Sequence, residues 1–259
     1  MPLHIIVCIK SVIRTAPDGV GRRSPDNSEL NLFDRPALEA ALQLKASQDA
    51  SVTVLSMGPP VAVEALAEAQ AMGADRAVLI SDAALAGSDT LVTSRVLAAG
   101  IARLAPYDLI FFGTRSSDSD TGQVGPQTAT LLDIPFVGGV KQIQAGPEGW
   151  EIQRLMDDWE EEWQVASPAA ATIHARAFKP RPIALVGIAL AHQRIDVQTW
   201  NLADLGLAAH QVGLTGSPTR VTNLQKVKRQ RTCRMLEGEP QQQVAALVDY
   251  LTTKGVMES

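Results

Sequence analysis

Short β-branched apolar runs alternate with stretches of helical period through the first half of the chain. Leu3 to Ile9 predicts a buried strand. Residues 14–30, rich in Pro, Asp, Gly, Ser and Asn, predict a long loop. Asp34 is placed to cap a helix over Pro36–Ala46, where Leu38, Ala41, Leu42 and Lys45 recur at helical spacing and Pro36 suits the first turn. Ser51–Met57 predicts the next strand, broken by Gly58-Pro59-Pro60. A helix over Val61–Met72 follows, closed by Gly73, then a strand at Ala77–Ile80, a helix over Asp89–Leu104 and a strand at Tyr107–Phe112. A helix-like run Gln127–Leu132 and an extended segment Ile134–Val140 complete the series. This alternation predicts βαβ units, so the fold class is α/β with a doubly wound, mostly parallel sheet.

After residue 140 the pattern shortens. Lys141–Gln144, Trp150–Leu155 and Trp163–Ala166 predict a small antiparallel extension, with a turn at Ala145-Gly146-Pro147-Glu148-Gly149. The run Asp157-Asp158-Trp159-Glu160-Glu161-Glu162 reads as a solvated hairpin tip or edge, or as a surface for a basic partner. From Lys179 onward the pattern is irregular. Arg220, Lys226, Lys228, Arg229, Arg231 and Arg234 follow one another with no acid between them, which predicts an extended arm. A last amphipathic helix is predicted over Pro240–Thr253, with Val244, Leu247, Val248 and Leu251 on one face.

At 259 residues the chain suits one large domain or one domain with an appendage. A net charge of −5 argues against non-specific nucleic-acid binding, and 4% aromatic residues argue against a base-stacking platform. Cys8 and Cys233 lie far apart, and His4, His174, His192 and His210 lack metal-ligand spacing, so neither a disulfide framework nor a metal site is predicted. The start, Met1-Pro2-Leu3-His4-Ile5-Ile6-Val7, has no basic region ahead of a long apolar segment, which predicts a cytoplasmic protein without a signal peptide. No window reaches the roughly 18 apolar residues of a membrane span.

The chemistry concentrates between the strand Tyr107–Phe112 and the helix that follows. Gly113-Thr114-Arg115-Ser116-Ser117-Asp118-Ser119-Asp120-Thr121-Gly122-Gln123-Val124-Gly125-Pro126 is a small-residue, hydroxyl-rich loop of the kind where backbone N–H groups and a helix N-terminus receive phosphate. Gly122 and Gly125 permit close backbone approach, Thr121 can cap a helix or donate to phosphate, and Gln123 can bond phosphate or ribose. Asp118 and Asp120 read as turn formers, with magnesium coordination and ribose-binding or loop-locking as alternatives. A second cluster lies at other strand ends: Cys8, Asn31-Leu32-Phe33-Asp34 and Met57. Cys8 reads as a buried small hydrophobe, with a reactive thiol as the alternative. Asn31 and Asp34 read as helix caps that can also receive an adenine edge or a phosphate. There is no Gly-x-Gly-x-x-Gly, Walker loop or nucleophile elbow, and no catalytic constellation is predicted. Binding without catalytic groups points to a cofactor carrier or a subunit.

These segments resemble the β subunit of electron-transfer flavoprotein. The likeness runs through Val7-Cys8-Ile9-Lys10, Asn31-Leu32-Phe33-Asp34, Ala37–Lys45, Val52–Pro60, Ala71–Ala77, Ser88-Asp89-Thr90-Leu91 and Asp118–Pro126, in order, over nearly the whole chain. It implies an adenine-nucleotide α-hydrolase-like sheet, a partner α subunit carrying FAD, and a nucleotide in the β site. The family's site falls on Cys8, Asn31, Leu32, Phe33, Asp34, Met57 and the run Thr114, Arg115, Ser116, Ser117, Asp118, Ser119, Asp120, Thr121, Gly122, Gln123, Val124 and Gly125. Leu185 matches the leucine with which the family docks on acyl-CoA dehydrogenases; simple packing is the other reading.

In ordinary members the β ligand is structural AMP. In the electron-bifurcating branch it is a second FAD that accepts hydride from NADH. Gly216-Ser217-Pro218-Thr219 and the Asp-x-Asp-Thr-x-Gln-Val-Gly-Pro form of the loop resemble that branch, so FAD is expected, with AMP the alternative and a stand-alone nucleotide sensor the third reading. The implied partners are the α subunit, NADH and an acyl-CoA dehydrogenase-type or other flavin or iron–sulfur protein. Residues 1–200 form the expected nucleotide domain, with a recognition segment near 179–194; residues 201–259 form an arm and helix expected to pack on the α subunit. The sequence departs from the family at Lys10–Pro17, where a Gln-Val-Pro-Asp-Thr run is common, and at 188–194, where the basic segment is weakened.

Overall fold

A computed structural model describes residues 2–13, 24–183, 185, 187, 196–223, 233 and 235–257. Arg14–Pro17 of the first loop, residues 188–194, and Lys226, Lys228, Arg229, Arg231 and Arg234 of the expected arm lie outside the described residues. The chain divides into two compact units, Met1–Val221 and Thr222–Ser259.

The first unit is built on a 9-stranded sheet. Its strands are β1 (Leu3–Cys8), β4 (Ala50–Met57), β5 (Arg76–Ile80), β6 (Leu109–Gly113), β7 (Phe136–Gly146), β8 (Gly149–Met156), β9 (Trp159–Val165), β10 (Ala169–Ile173) and β11 (Val197–Trp200), in the order β11-β5-β4-β1-β6-β10-β7-β8-β9. All pairs are parallel except β7–β8 and β8–β9. A separate antiparallel pair joins β2 (Ser11–Ile13) to β3 (Ser28–Leu30).

Alternation along β1 builds a core on each face of the sheet. Ile5 and Val7 meet helices α1 (Arg35–Ser47) and α2 (Val63–Met72), while Ile6 and Cys8 join the core of α3 (Thr90–Arg103) and α4 (Val124–Leu131). From β1 the chain runs outward through β4 and β5 on one side and crosses to β6 on the other, with β11 returning to the outer edge of β5, so the order reverses between β1 and β6. In a doubly wound sheet that reversal opens a crevice at the carboxyl ends of the two strands.

The expected α/β class and antiparallel extension are both present, with differences of detail. The loop 14–30 contains β3, which pairs with β2. Helix α4 starts at Val124, three residues before the helix-like run, because Gly125 and Pro126 fit a first turn that needs no N–H from proline. Strand β10, Ala-Ala-Ala-Thr-Ile, is buried throughout between β6 and β7, and alanines carry little strand signal. Most of the acidic run lies in the edge strand β9, with the turn confined to Asp157 and Asp158. In the second unit a helix covers Pro240–Thr253, and Val244, Leu247 and Val248 on it are exposed. No described helix is long and apolar enough to cross a membrane.

Candidate functional site

Cys8 and Phe112 are register partners at the ends of β1 and β6. Just beyond them the two chain segments are tied together by Asp34. Its carboxylate Oδ2 accepts the Lys10 backbone N–H at 2.7 Å, and the Gly113 N–H and Asn31 side chain also donate to it. Burial pushes this carboxyl up to about 7, against those hydrogen bonds and the Lys10 charge. Asp34 therefore occupies the cap position of α1 without capping it: its side chain makes no cap hydrogen bond. Gly113 has no alternative here, since a Cβ would overlap Asp34 Oδ1 and sit 2.6 Å from the Phe33 carbonyl oxygen.

Asn31 is the second tie. Its Nδ2 donates to the Arg115 carbonyl at 2.9 Å, and its Oδ1 accepts the Ser117 N–H at 3.2 Å. Its backbone N–H meets the Lys10 carbonyl and its carbonyl meets the Asp34 N–H, both at 2.9 Å. The Asn31–Asp34 turn thus holds the loop after β6 against the loop after β1.

The two aspartates of that loop each face a cation. Lys10 Nζ lies 2.6 Å from Asp118 Oδ1 and 3.3 Å from the hydroxyls of Ser116 and Ser119. Arg115 lies 3.3 Å from Asp120 Oδ1 and 4.6 Å over the Phe33 ring. Asp120 has φ +54 and Gly122 φ +64, so the loop turns sharply back toward α4. Burial raises the Cys8 thiol well above its usual range, with Asp34 adding to the effect, so Cys8 is packed and protonated.

The neighbouring wall comes from α3. Asp89 caps that helix by accepting the Val92 N–H at 3.0 Å, and it also accepts the Thr219 N–H and hydroxyl at 3.0 and 2.8 Å. Desolvation pushes the Asp89 carboxyl up, but these hydrogen bonds outweigh it and hold it below the usual range. Ser217 accepts the Asp89 N–H at 2.9 Å and donates to the Gly213 carbonyl at 2.7 Å. Thr90 bonds Gln123 Oε1 at 3.0 Å, joining the starts of α3 and α4.

The sequence-predicted residues thus gather on one sheet edge. Cys8 ends β1 and Met57 ends β4 beside it; Leu32 is exposed, Phe33 half-buried, and Asn31 and Asp34 buried. Thr114 and Ser116 are half-buried; Arg115, Ser117, Asp118, Ser119, Asp120, Thr121, Gly122 and Gln123 are exposed; Val124 starts α4. Gly125 is buried, and a Cβ there would meet Thr172 and Phe112, so its smallness serves α4 packing on the sheet. Sequence reasoning passed over Lys10 and Thr90 as site residues. A lysine immediately after a buried strand was the available signal for the first. Leu185 is 85% exposed.

Residues 20–205 match a family model described as the electron transfer flavoprotein domain. The chain is 40% identical to the electron transfer flavoprotein subunit beta of Clostridium acetobutylicum, covering 85% of this chain and 86% of that relative. It is 39% identical to the caffeyl-CoA reductase-Etf complex subunit CarD of Acetobacterium woodii, again over 85% and 86%. The acryloyl-CoA reductase electron transfer subunit gamma of Anaerotignum propionicum is 35% identical over 98% of this chain and its own full length.

Proposed function

This chain belongs to the electron transfer flavoprotein family, as a β subunit, and from that premise we propose that it holds FAD at the β1–β6 edge beside an α subunit carrying a second FAD. The nucleotide half rests on Cys8, Asn31–Asp34, Met57 and Thr114–Gly125. The observation that carries FAD over AMP is the seat of Ser217 and Thr219 on Asp89, with Thr90 reaching Gln123. Two helix N-termini and a segment of small side chains then share the wall beyond the nucleotide loop, which suits a pyrophosphate. Bound flavin supplies hydride uptake from NADH and single-electron delivery, while the chain's own residues place it and set its electrostatic surroundings.

The complex in this reading passes electrons from NADH to a low-potential acceptor and to an acyl-CoA dehydrogenase-type partner. The coenzyme A reductases in the names of two relatives support that partner class. Leu185 is the docking residue toward that partner. One observation favours the AMP reading: Lys10 and Arg115 already face Asp118 and Asp120, so the loop offers little net positive charge to a second phosphate.

Release of cofactors by denaturing the co-purified αβ pair decides between them. Two FAD per heterodimer is the expected result. One FAD with one AMP overturns the FAD assignment and the NADH chemistry that depends on it.

A further inference from the structure

The segment bearing Leu185 is anchored at three points. Arg181 donates to Glu39 of α1 through its backbone N–H at 3.1 Å, Nε at 2.8 Å and Nη2 at 3.1 Å, engaging both carboxylate oxygens. The Glu39 side chain is only 5% exposed and also accepts Gln43 Nε2 at 3.0 Å. Desolvation would raise the Glu39 carboxyl, yet the Arg181 and Gln43 hydrogen bonds hold it below the usual range. Ile183 packs against the core under α1 and α2. At Gly187 a Cβ would overlap the Ala71 carbonyl oxygen near the end of α2, so the backbone there lies directly on that helix. Between these anchors Leu185 is 85% exposed.

An apolar side chain flanked by residues held against α1 and α2 enters a pocket at a lower cost of ordering its backbone. We propose that Glu39 is a positioning residue for partner docking: with Arg181, Ile183 and Gly187 it presets the segment so that Leu185 projects into an apolar pocket of the redox partner. The inference rests on the reading of Leu185 as the docking residue. Helix α1 carries Glu39 and has Asp34 at its cap position, but the bonds of Asp34 to Lys10 and Gly113 are separate from the clamp.

The test is electron transfer between the purified αβ complex and an acyl-CoA dehydrogenase, with KM for the complex, kcat at saturation and bound adenine nucleotide measured together. Glu39→Gln is expected to raise KM about tenfold through lost pre-organisation, with kcat and nucleotide content unchanged. Arg181→Lys should raise it less, because it keeps the charge and loses only the forked contact. Adding Glu39→Gln to Leu185→Ala should give no further rise. If Leu185→Ala raises KM and Glu39→Gln does not, the clamp is wrong and docking stands. If Leu185→Ala leaves KM unchanged, the docking reading falls and takes this inference with it. A KM rise accompanied by nucleotide loss also overturns the clamp, as it marks general damage. Should Glu39→Gln fold poorly, Gly187→Ala disturbs the third anchor, and an unchanged KM there is equally fatal.

Discussion

Asp34 shows how much one buried carboxylate can fix. It links the Lys10 and Gly113 backbones beyond the ends of β1 and β6, and burial moves its titration from 3.8 to about 7. A carboxyl whose folded pKa is raised favours the folded state most below its unfolded value, and that advantage fades as pH climbs through the folded one. The melting temperature of the wild type should therefore fall, relative to that of Asp34→Asn, as pH rises from about 4 to about 7. Parallel curves for the two proteins over that window would show that Asp34 does not titrate there. Cys8 beside it remains a thiol for the same physical reason, desolvation of the charged form.

Elements are joined at this site through positions where a side chain has no space. Gly113 ends β6 against Asp34 and Phe33, so the strand, the Asn31–Asp34 turn and the start of α1 meet on one glycine. Gly113→Ala should lower unfolding stability by about 1–3 kcal/mol or more through overpacking, measured by urea denaturation, and weaken retention of the proposed nucleotide. A variant as stable as wild type would mean that the neighbouring turn can move aside. Most elements were legible in sequence because their periods were strong: α3 and the Pro240–Thr253 helix fall within a residue of their predicted spans. Strands β10 and β11 were not. Ala169–Ala171 has neither β-branching nor alternation, and Val197–Trp200 is a short edge strand held by its pairing with β5.

Across the whole molecule, the β1–β6 edge draws residues from segments more than a hundred positions apart, as when Lys10 meets Asp118 and Asp89 meets Thr219. A ligand seated there would bond to loops that separate on unfolding and so stabilise the folded state by linkage. If the proposed nucleotide occupies this edge, stripping it from the αβ complex should lower the melting temperature, and re-adding it at about 100 times its Kd should restore about 2.7 kcal/mol. A melting curve indifferent to nucleotide would remove the site from this edge. The sequence by itself determined the α/β class, the loop Gly113–Pro126 and the family, because hydrophobic period and short motifs are local properties. Tertiary structure alone decided what the loop's residues touch. It set Asp118 and Asp120 against Lys10 and Arg115, turned Asp34 from a helix cap into a tie between strands, and seated Thr219 on α3. Such partners are chosen by the order of strands and the reversal between β1 and β6, which no local pattern encodes.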